Sequence, residues 1–491
     1  MRILLAWFSQ SPETKNLIFA LKEAGHEVIY WVGGGDDRKI EIPGTIVHTH
    51  YAARNGIPAP GVDISKFYPP GEILIKQLYE TESVVLTMMN KRFDWMCVDE
   101  RKHIYYNTLQ YWNGVMNKYR PDIVVFSAIP HAPFSYIIYG LSRLLNIKII
   151  IFDNVSRVGV PDSDLKVGFS DTDRMLMYVD SWESSRPLLE ALEKNQDKNF
   201  SSEDLSEDLR KYYELHTVNH GGDPTPSCIK EDKDLYSGFR LATLKARIIL
   251  RSIKDFTIFE KVLTYVQKLF RQNIKQEYVS LQSEPDFAKK FVYVPLHYQP
   301  ECSTSPLGGV FVDQILMIEI LSASIPDDWV IYIKEHPVQW LIRGLNFISS
   351  RYRGYYKRMA KLKNVKLVPV EADNYDLIRN SQVVATVVGS AGFEAVLRSK
   401  PAIVFGYPWY QYCHAVFKVA EVKLCQEVLQ KIKNGFKVDQ QKVINHLKAF
   451  NDVSFHGFTG ISKEMGKKLK KSGRDGMRNI IQALLLEFKK Y

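Results

Sequence analysis

The chain has 491 residues, 45% of them hydrophobic and 24% charged, with a formal net charge of +10. That length accommodates two to four domains, and the composition excludes a disordered, collagenous or disulfide-stapled protein. No apolar run approaches the ~18–20 residues that cross a bilayer. The five scattered cysteines lack CxxC spacing and are expected to be reduced thiols, with no zinc site.

The N-terminus runs Met1-Arg2-Ile3-Leu4-Leu5-Ala6-Trp7-Phe8 and then turns polar, without the longer apolar stretch and cleavage site of a signal peptide. The expectation is a cytoplasmic protein. Its positive charge is local, because residues 240–275 carry +7 and residues 463–491 carry +6, leaving the remainder slightly acidic. Such stretches suit solvated helix faces or peripheral contact with the anionic inner face of a membrane. No nucleic-acid module accompanies them, so no nucleic-acid partner is expected.

In chain order, residues 2–8 read as a strand, 12–24 as a helix with Leu17, Ile18 and Leu21 on one face, and 27–32 as a second strand. This βαβ unit implies a parallel sheet. The absence of GxGxxG after the first strand argues against a dinucleotide site. A second βαβ unit follows, with strands 122–126 and 148–152 ending in Pro130-His131 and Asp153-Asn154. Residues ~165–285 lose strand alternation and read as a helical insertion. Strands then recur at 291–296, 330–334, 365–370, 383–388 and 402–405.

The expected architecture is α/β and GT-B-like, with two Rossmann-like open parallel-sheet domains facing a cleft. Its parts are residues 1–165, an acceptor-binding lobe; 166–285, a helical insertion; 286–425, a nucleotide-sugar lobe; and 426–491, C-terminal helices crossing back to the first lobe.

Three segments of the second lobe carry candidate chemistry. Gly389-Ser390-Ala391-Gly392-Phe393-Glu394 joins a strand to a helix, and a helix N-terminus presenting amides and a hydroxyl is either an anion site or a tightly packed turn. Lys334-Glu335-His336-Pro337 ends a strand in a cation, a carboxylate and an imidazole. A phosphate would favour the charged imidazole. His297-Tyr298-Gln299-Pro300-Glu301-Cys302-Ser303 follows the lobe's first strand. There His297 and Glu301 are candidate proton-transfer groups, and Ser303 a candidate phosphate donor. In the first lobe, His131 is a candidate acceptor contact or general base, or a plain helix-start residue. Asp162-Ser163-Asp164 and Asp171-Thr172-Asp173 have DxD spacing but read as solvated loop carboxylates.

Segments 291–337 and 365–407 resemble the nucleotide-binding half of the capsule polysaccharide biosynthesis glycosyltransferases, a group that includes β-Kdo transferases and related CMP-sugar enzymes. The features that carry the resemblance are Lys334-Glu335-His336-Pro337, Gly389-Ser390-Ala391-Gly392-Phe393-Glu394 and Lys400-Pro401. Pro121–Phe126 and Pro130-His131 match the same family more weakly. The resemblance implies transfer of an acidic sugar, Kdo or a nonulosonic acid, from a CMP-activated donor to a glycan or lipid-linked glycan acceptor, without a metal cofactor. It assigns only His336 and Ser390 to the donor phosphate; on chemical grounds the Ala391 and Gly392 amides are further candidate donors to the leaving CMP. Lys334, Gly389, Glu394 and Ser303 complete the expected donor set. Retaining members use an acceptor-lobe carboxylate as nucleophile, for which Asp153 is the first choice, with Glu301 as acid/base or the two roles exchanged. Competing readings are a teichoic-acid-type CDP-polyol phosphotransferase, a UDP-sugar 2-epimerase and a non-catalytic lobe pair.

Overall fold

The computed structural model describes residues 1–9, 13–34, 41–155, 174–217, 274–300, 303–340, 350–457 and 472–491, with isolated positions between 238 and 250. It contains two compact units. The first is Met1–Leu215 with Ser305–Gly309 and Gln441–Tyr491, and the second is His216–Thr304 with Val310–Gln440.

The first unit is built on seven strands: β1 (Arg2–Ser9), β2 (Glu27–Gly34), β3 (Ile46–Thr49), β4 (Ile123–Phe126), β5 (Lys148–Val155), β6 (Arg174–Val179) and β13 (Phe455–His456). Their order is β13-β6-β5-β4-β1-β2-β3. The five from β5 to β3 are parallel, whereas β6 runs antiparallel to β5 and β13 antiparallel to β6. All four residues of β4 are buried, as expected of a strand covered on both faces. Where β1 meets β2, the Trp31 indole N–H donates to Trp7 O at 2.9 Å. Gly33 adopts φ +116°, and a Cβ there would lie 2.4 Å from Trp7 O, so glycine alone fits. The helix Ser472–Phe488 packs on the helix Glu13–Glu23 and sends Met477, Ile480, Leu484 and Phe488 into this unit's core.

The strand β6 lies inside residues 166–285, where the loss of strand alternation predicts a helical insertion. It opens on a cation, which masks its strand character. Arg174 is buried and holds Asp208 through Nε at 2.7 Å and Nη2 at 3.0 Å, and Ser454 through Nη1 at 2.9 Å. That pairing lets a charged residue start an interior strand. The basic stretch 240–275 falls almost wholly outside the described residues, as do both DxD segments.

The second unit is an all-parallel six-stranded sheet of β7 (Lys290–Pro295), β8 (Trp329–Lys334), β9 (Val365–Leu367), β10 (Val383–Thr386), β11 (Ala402–Val404) and β12 (Val416–Lys418). The order β12-β11-β10-β7-β8-β9 is the doubly wound arrangement whose direction reverses beside β7. Two open, mainly parallel sheets in separate units make the fold GT-B-like. Among the described residues, no helix is long and apolar enough to cross a membrane.

Buried titratable groups give the first unit a definite response to acid. Burial lowers His48 to about 4 and His446 to about 3, and it raises Asp153 to about 6. Between pH 7 and 5 the unfolded chain therefore protonates both histidines while the folded unit does not, a loss of about 2 kcal/mol each. Asp153 has the opposite sign, because the folded carboxyl takes its proton first, and it restores about 1 kcal/mol. The first unit should lose about 2–3 kcal/mol over this interval, read as a lower urea midpoint at pH 5. An equal or higher midpoint at pH 5 would contradict these assignments.

Candidate functional site

In the second unit the candidate residues converge on the carboxyl ends of β8, β7 and β10, the edge where open α/β sheets bind ligands. His297 and Tyr298, just past β7, reach to opposite sides. His297 Nε2 accepts from the Val388 N–H at 3.2 Å and lies 3.1 Å from Thr386 Oγ1, which in turn accepts the Gly389 N–H at 3.1 Å. Tyr298 approaches the His336 ring, with centroids 6.1 Å apart. The residues following one central strand thus join the Gly389–Gly392 turn to the His336 loop.

The turn is built tightly. A Cβ on Gly392 would meet Tyr410 Oη at 2.5 Å, and one on Gly389 would meet Thr386 Oγ1 at 2.8 Å. The Tyr410 hydroxyl donates to Gly389 O. Both glycines are therefore required for packing beneath the turn, while exposed Ser390 starts the helix Ser390–Leu397 with the Ala391 amide beside it. The Gly392 N–H, expected at the donor phosphate, instead donates to Gly389 O at 3.2 Å, and it is the amides ahead of it, at the helix start, that favour an anion. Burial raises the pKa of Glu394, against opposing contributions from the Ser390 hydroxyl and Arg398.

His336 is half-buried, and its Nδ1 accepts the Val338 N–H at 3.2 Å. The loop's own backbone thus holds Nδ1, and Nε2 is the ring nitrogen that would donate to a ligand. Its neighbour Glu335 is fully buried. The Glu335 carboxylate receives Arg351 Nε at 2.6 Å, Arg351 Nη2 at 3.1 Å and the Tyr356 hydroxyl, and it also accepts the His336 N–H at 2.7 Å. Burial opposes the charge on Arg351, but Glu335 with Tyr355 and Tyr356 outweighs it and holds the guanidinium well above its ordinary pKa. Arg351 further donates to His297 O at 2.8 Å and Gln299 Oε1 at 2.9 Å. Gln314 adds a bond from the His297 N–H at 2.7 Å, and Gln339 takes the Gln299 N–H at 3.0 Å. A buried cation and three buried glutamines thereby fix both loops.

Two expectations are corrected here. The Lys334 ammonium, placed at the donor phosphate by sequence reading, is buried and donates to Asn374 Oδ1 at 2.7 Å and to Ala372 O. Strand alternation turns it toward the loop after β9. His297 was expected to transfer protons, yet its Nε2 is engaged by backbone and holds the turn. Ser303 is exposed, while Glu301 and Cys302 lie outside the described residues.

The first unit brings Asp153 and His131 together. Asp153 lies two residues before the end of β5 and His131 follows β4, neighbours in the parallel sheet. Burial raises the Asp153 carboxyl to about 6, partly offset by the positive influence of His131. His131 is exposed, with Nδ1 2.7 Å from Ile129 O, a contact in which this nitrogen carries the proton. The pair forms a carboxyl of near-neutral pKa beside an imidazole at the ligand-binding edge of the sheet.

Residues 260–413 match the family model described as "Capsule polysaccharide biosynthesis protein". Across this segment the chain is similar to capsule polysaccharide biosynthesis proteins. It is 31% identical over 80 residues to the capsule polysaccharide modification protein LipA of Neisseria meningitidis serogroup B, and 30% identical to that of serogroup A. The alignment takes in 16% of this chain and 10% of each relative, so the chain spans about a tenth of their length. Among solved structures, Thermosulfurimonas dismutans KpsC, a beta Kdo 2,7 transferase, aligns with 76% of this chain and 87% of its own, at 12% identity and a TM-score of 0.31. UDP-GlcNAc 2-epimerase from Neisseria meningitidis, bound to UDP-GlcNAc, aligns with 99% and 100%, at 12% identity and a TM-score of 0.24. The matched family segment contains β7, β8, β10 and β11, and so holds His297, His336 and Ser390.

Proposed function

We propose that this protein is a glycosyltransferase of capsule polysaccharide synthesis that moves an acidic sugar, Kdo or a nonulosonic acid, from a CMP-activated donor to a surface-glycan acceptor. The observation that carries the proposal is the convergence of the His336 loop, His297 and the Ser390 turn at the switch point of the second unit, inside the family segment. With Lys334 withdrawn, the donors at that edge among the described residues are an imidazole N–H, a hydroxyl and helix amides. Such a small set of donors suits the single phosphate of a CMP-sugar better than a diphosphate, and it would stabilise the departing charge without a metal.

In the reaction, Asp153, ionised above about pH 6, attacks the anomeric carbon as the bond to the CMP oxygen breaks, and that electron pair leaves with CMP. An acceptor hydroxyl then displaces the carboxylate and gives its proton to a base. Incubation with CMP-Kdo or a CMP-nonulosonate and a capsule-type glycan, in the presence of EDTA, should release CMP and join the sugar by a glycosidic bond. A phosphodiester formed from a CDP-polyol would overturn the proposal in favour of the phosphotransferase, and turnover of a UDP-sugar alone would favour the epimerase.

A further inference from the structure

A cavity of about 340 Å³ opens within the first unit, inside the range of about 300–1,000 Å³ of small-molecule sites. Four segments bound it: the helix His50–Arg54 after β3, the end of the helix Tyr79–Met88 with the residues following it, the helix Val98–Tyr119, and the residues from His131 to Phe134. Its lining has one sign of charge. Arg54, Lys91 and Arg92 contribute three cations and His50 and His131 two imidazoles, and among the described residues no aspartate or glutamate lines it. Arg92 is fixed in place, its Nη2 donating to Asn55 Oδ1 at 2.5 Å and its Nη1 to Arg54 O at 3.4 Å. Buried Met88, Met89 and Phe134 supply an apolar wall. The 12-residue helix Pro133–Leu144 begins at the cavity, and its Ala132 N-cap offers no side-chain acceptor, so the positive end of that helix adds to the field.

The cavity is also continuous with the candidate chemistry of this unit. His131 lines it and is the group that influences the half-buried Asp153 carboxyl. A concave surface with one sign of charge, an apolar wall and a fixed guanidinium selects a ligand with an oxyanion and a ring face of C–H groups. We infer that this cavity binds the acceptor through an anionic sugar, a carboxylate- or phosphate-bearing residue at the growing end of the glycan, and presents it to Asp153. This rests on the transferase reading above, and it specifies the acceptor's charge.

The test is ligand-observed NMR titration of the full chain with three probes: N-acetylneuraminic acid, glucose 6-phosphate and neutral glucose. Either anionic sugar should bind at least tenfold more tightly than glucose, and the stronger of the two identifies carboxylate or phosphate as the natural group. Lys91→Glu and Arg92→Ala should each weaken that binding at least fivefold while leaving the affinity for CMP unchanged. Equal binding of glucose and the anionic sugars, or anionic binding indifferent to both substitutions, would overturn the inference. Anionic-sugar binding sensitive to both substitutions, in a protein that does not bind CMP, would support this site while removing the CMP-sugar reading.

Discussion

Arg351→Met is expected to destabilise the second unit by about 3–5 kcal/mol, the usual consequence of leaving a buried charge without its partner. Glu335 has no access to solvent and depends on the Arg351 guanidinium for two of its hydrogen bonds. The Tyr356 hydroxyl and the His336 amide are neutral donors and do not replace that charge. The same substitution removes the donors to His297 O and Gln299 Oε1, so affinity for the donor nucleotide should fall along with the urea midpoint. Adding Glu335→Leu should recover much of the stability, because an apolar pair of similar volume is often as stable as a buried ion pair. It should not recover nucleotide affinity, since the loops that carry His297 and His336 would still lack their anchor. A loss below about 1 kcal/mol in the single variant would show that the pair behaves as a solvated one and that the loops are held otherwise.

Asp153→Asn is expected to reduce transfer by on the order of 10³-fold or more, the scale for removing a nucleophile, with CMP affinity intact. Activity of the unsubstituted protein should rise as pH increases through about 6, where the Asp153 carboxyl ionises. His131 favours the ionised form, so His131→Ala should move this limb to higher pH. Stability changes in the opposite direction. A carboxyl whose folded pKa is raised contributes stability below its unfolded pKa and loses it as pH rises through the folded value. At pH 7 the asparagine variant should therefore be more stable by about 1–3 kcal/mol, discounted for the partial exposure of the strand end. Full transfer by Asp153→Asn, or a limb unmoved by His131→Ala, would assign the chemistry to another carboxylate.

The sequence made the parallel core legible because its strands are apolar runs closed by turn residues. Val383–Thr386 and Ile123–Phe126 needed no partner to be recognised. The strand β3 has only four residues, β6 begins with an arginine whose charge is answered by Asp208, and β13 has two residues 276 positions beyond the end of its partner. None of these is signalled locally. The site divides in the same way. His336, His297, Ser390 and Asp153 stand at or near strand ends, where an α/β sheet places its ligands, so sequence position brought their segments forward and the family resemblance supplied the roles of His336, Ser390 and Asp153. Arg351, Thr386 and the three glutamines act through partners as many as 89 residues away, and no spacing rule identifies them. Lys334 shows the converse failure. Its place beside the histidine suggested phosphate, but the alternation of β8 turned it to Asn374. The helix Ser472–Phe488 was legible as basic, while its fit against the first unit depended on its apolar stripe.

Isothermal titration with CMP, CDP, UMP and UDP shows whether the switch point of the second unit holds the phosphate of CMP. CMP should bind most tightly, and His336→Ala and Ser390→Ala should each weaken it about tenfold, or about 1.4 kcal/mol, without changing the unfolding midpoint. Unchanged CMP affinity in both variants, or binding of uridine nucleotides alone, would contradict it.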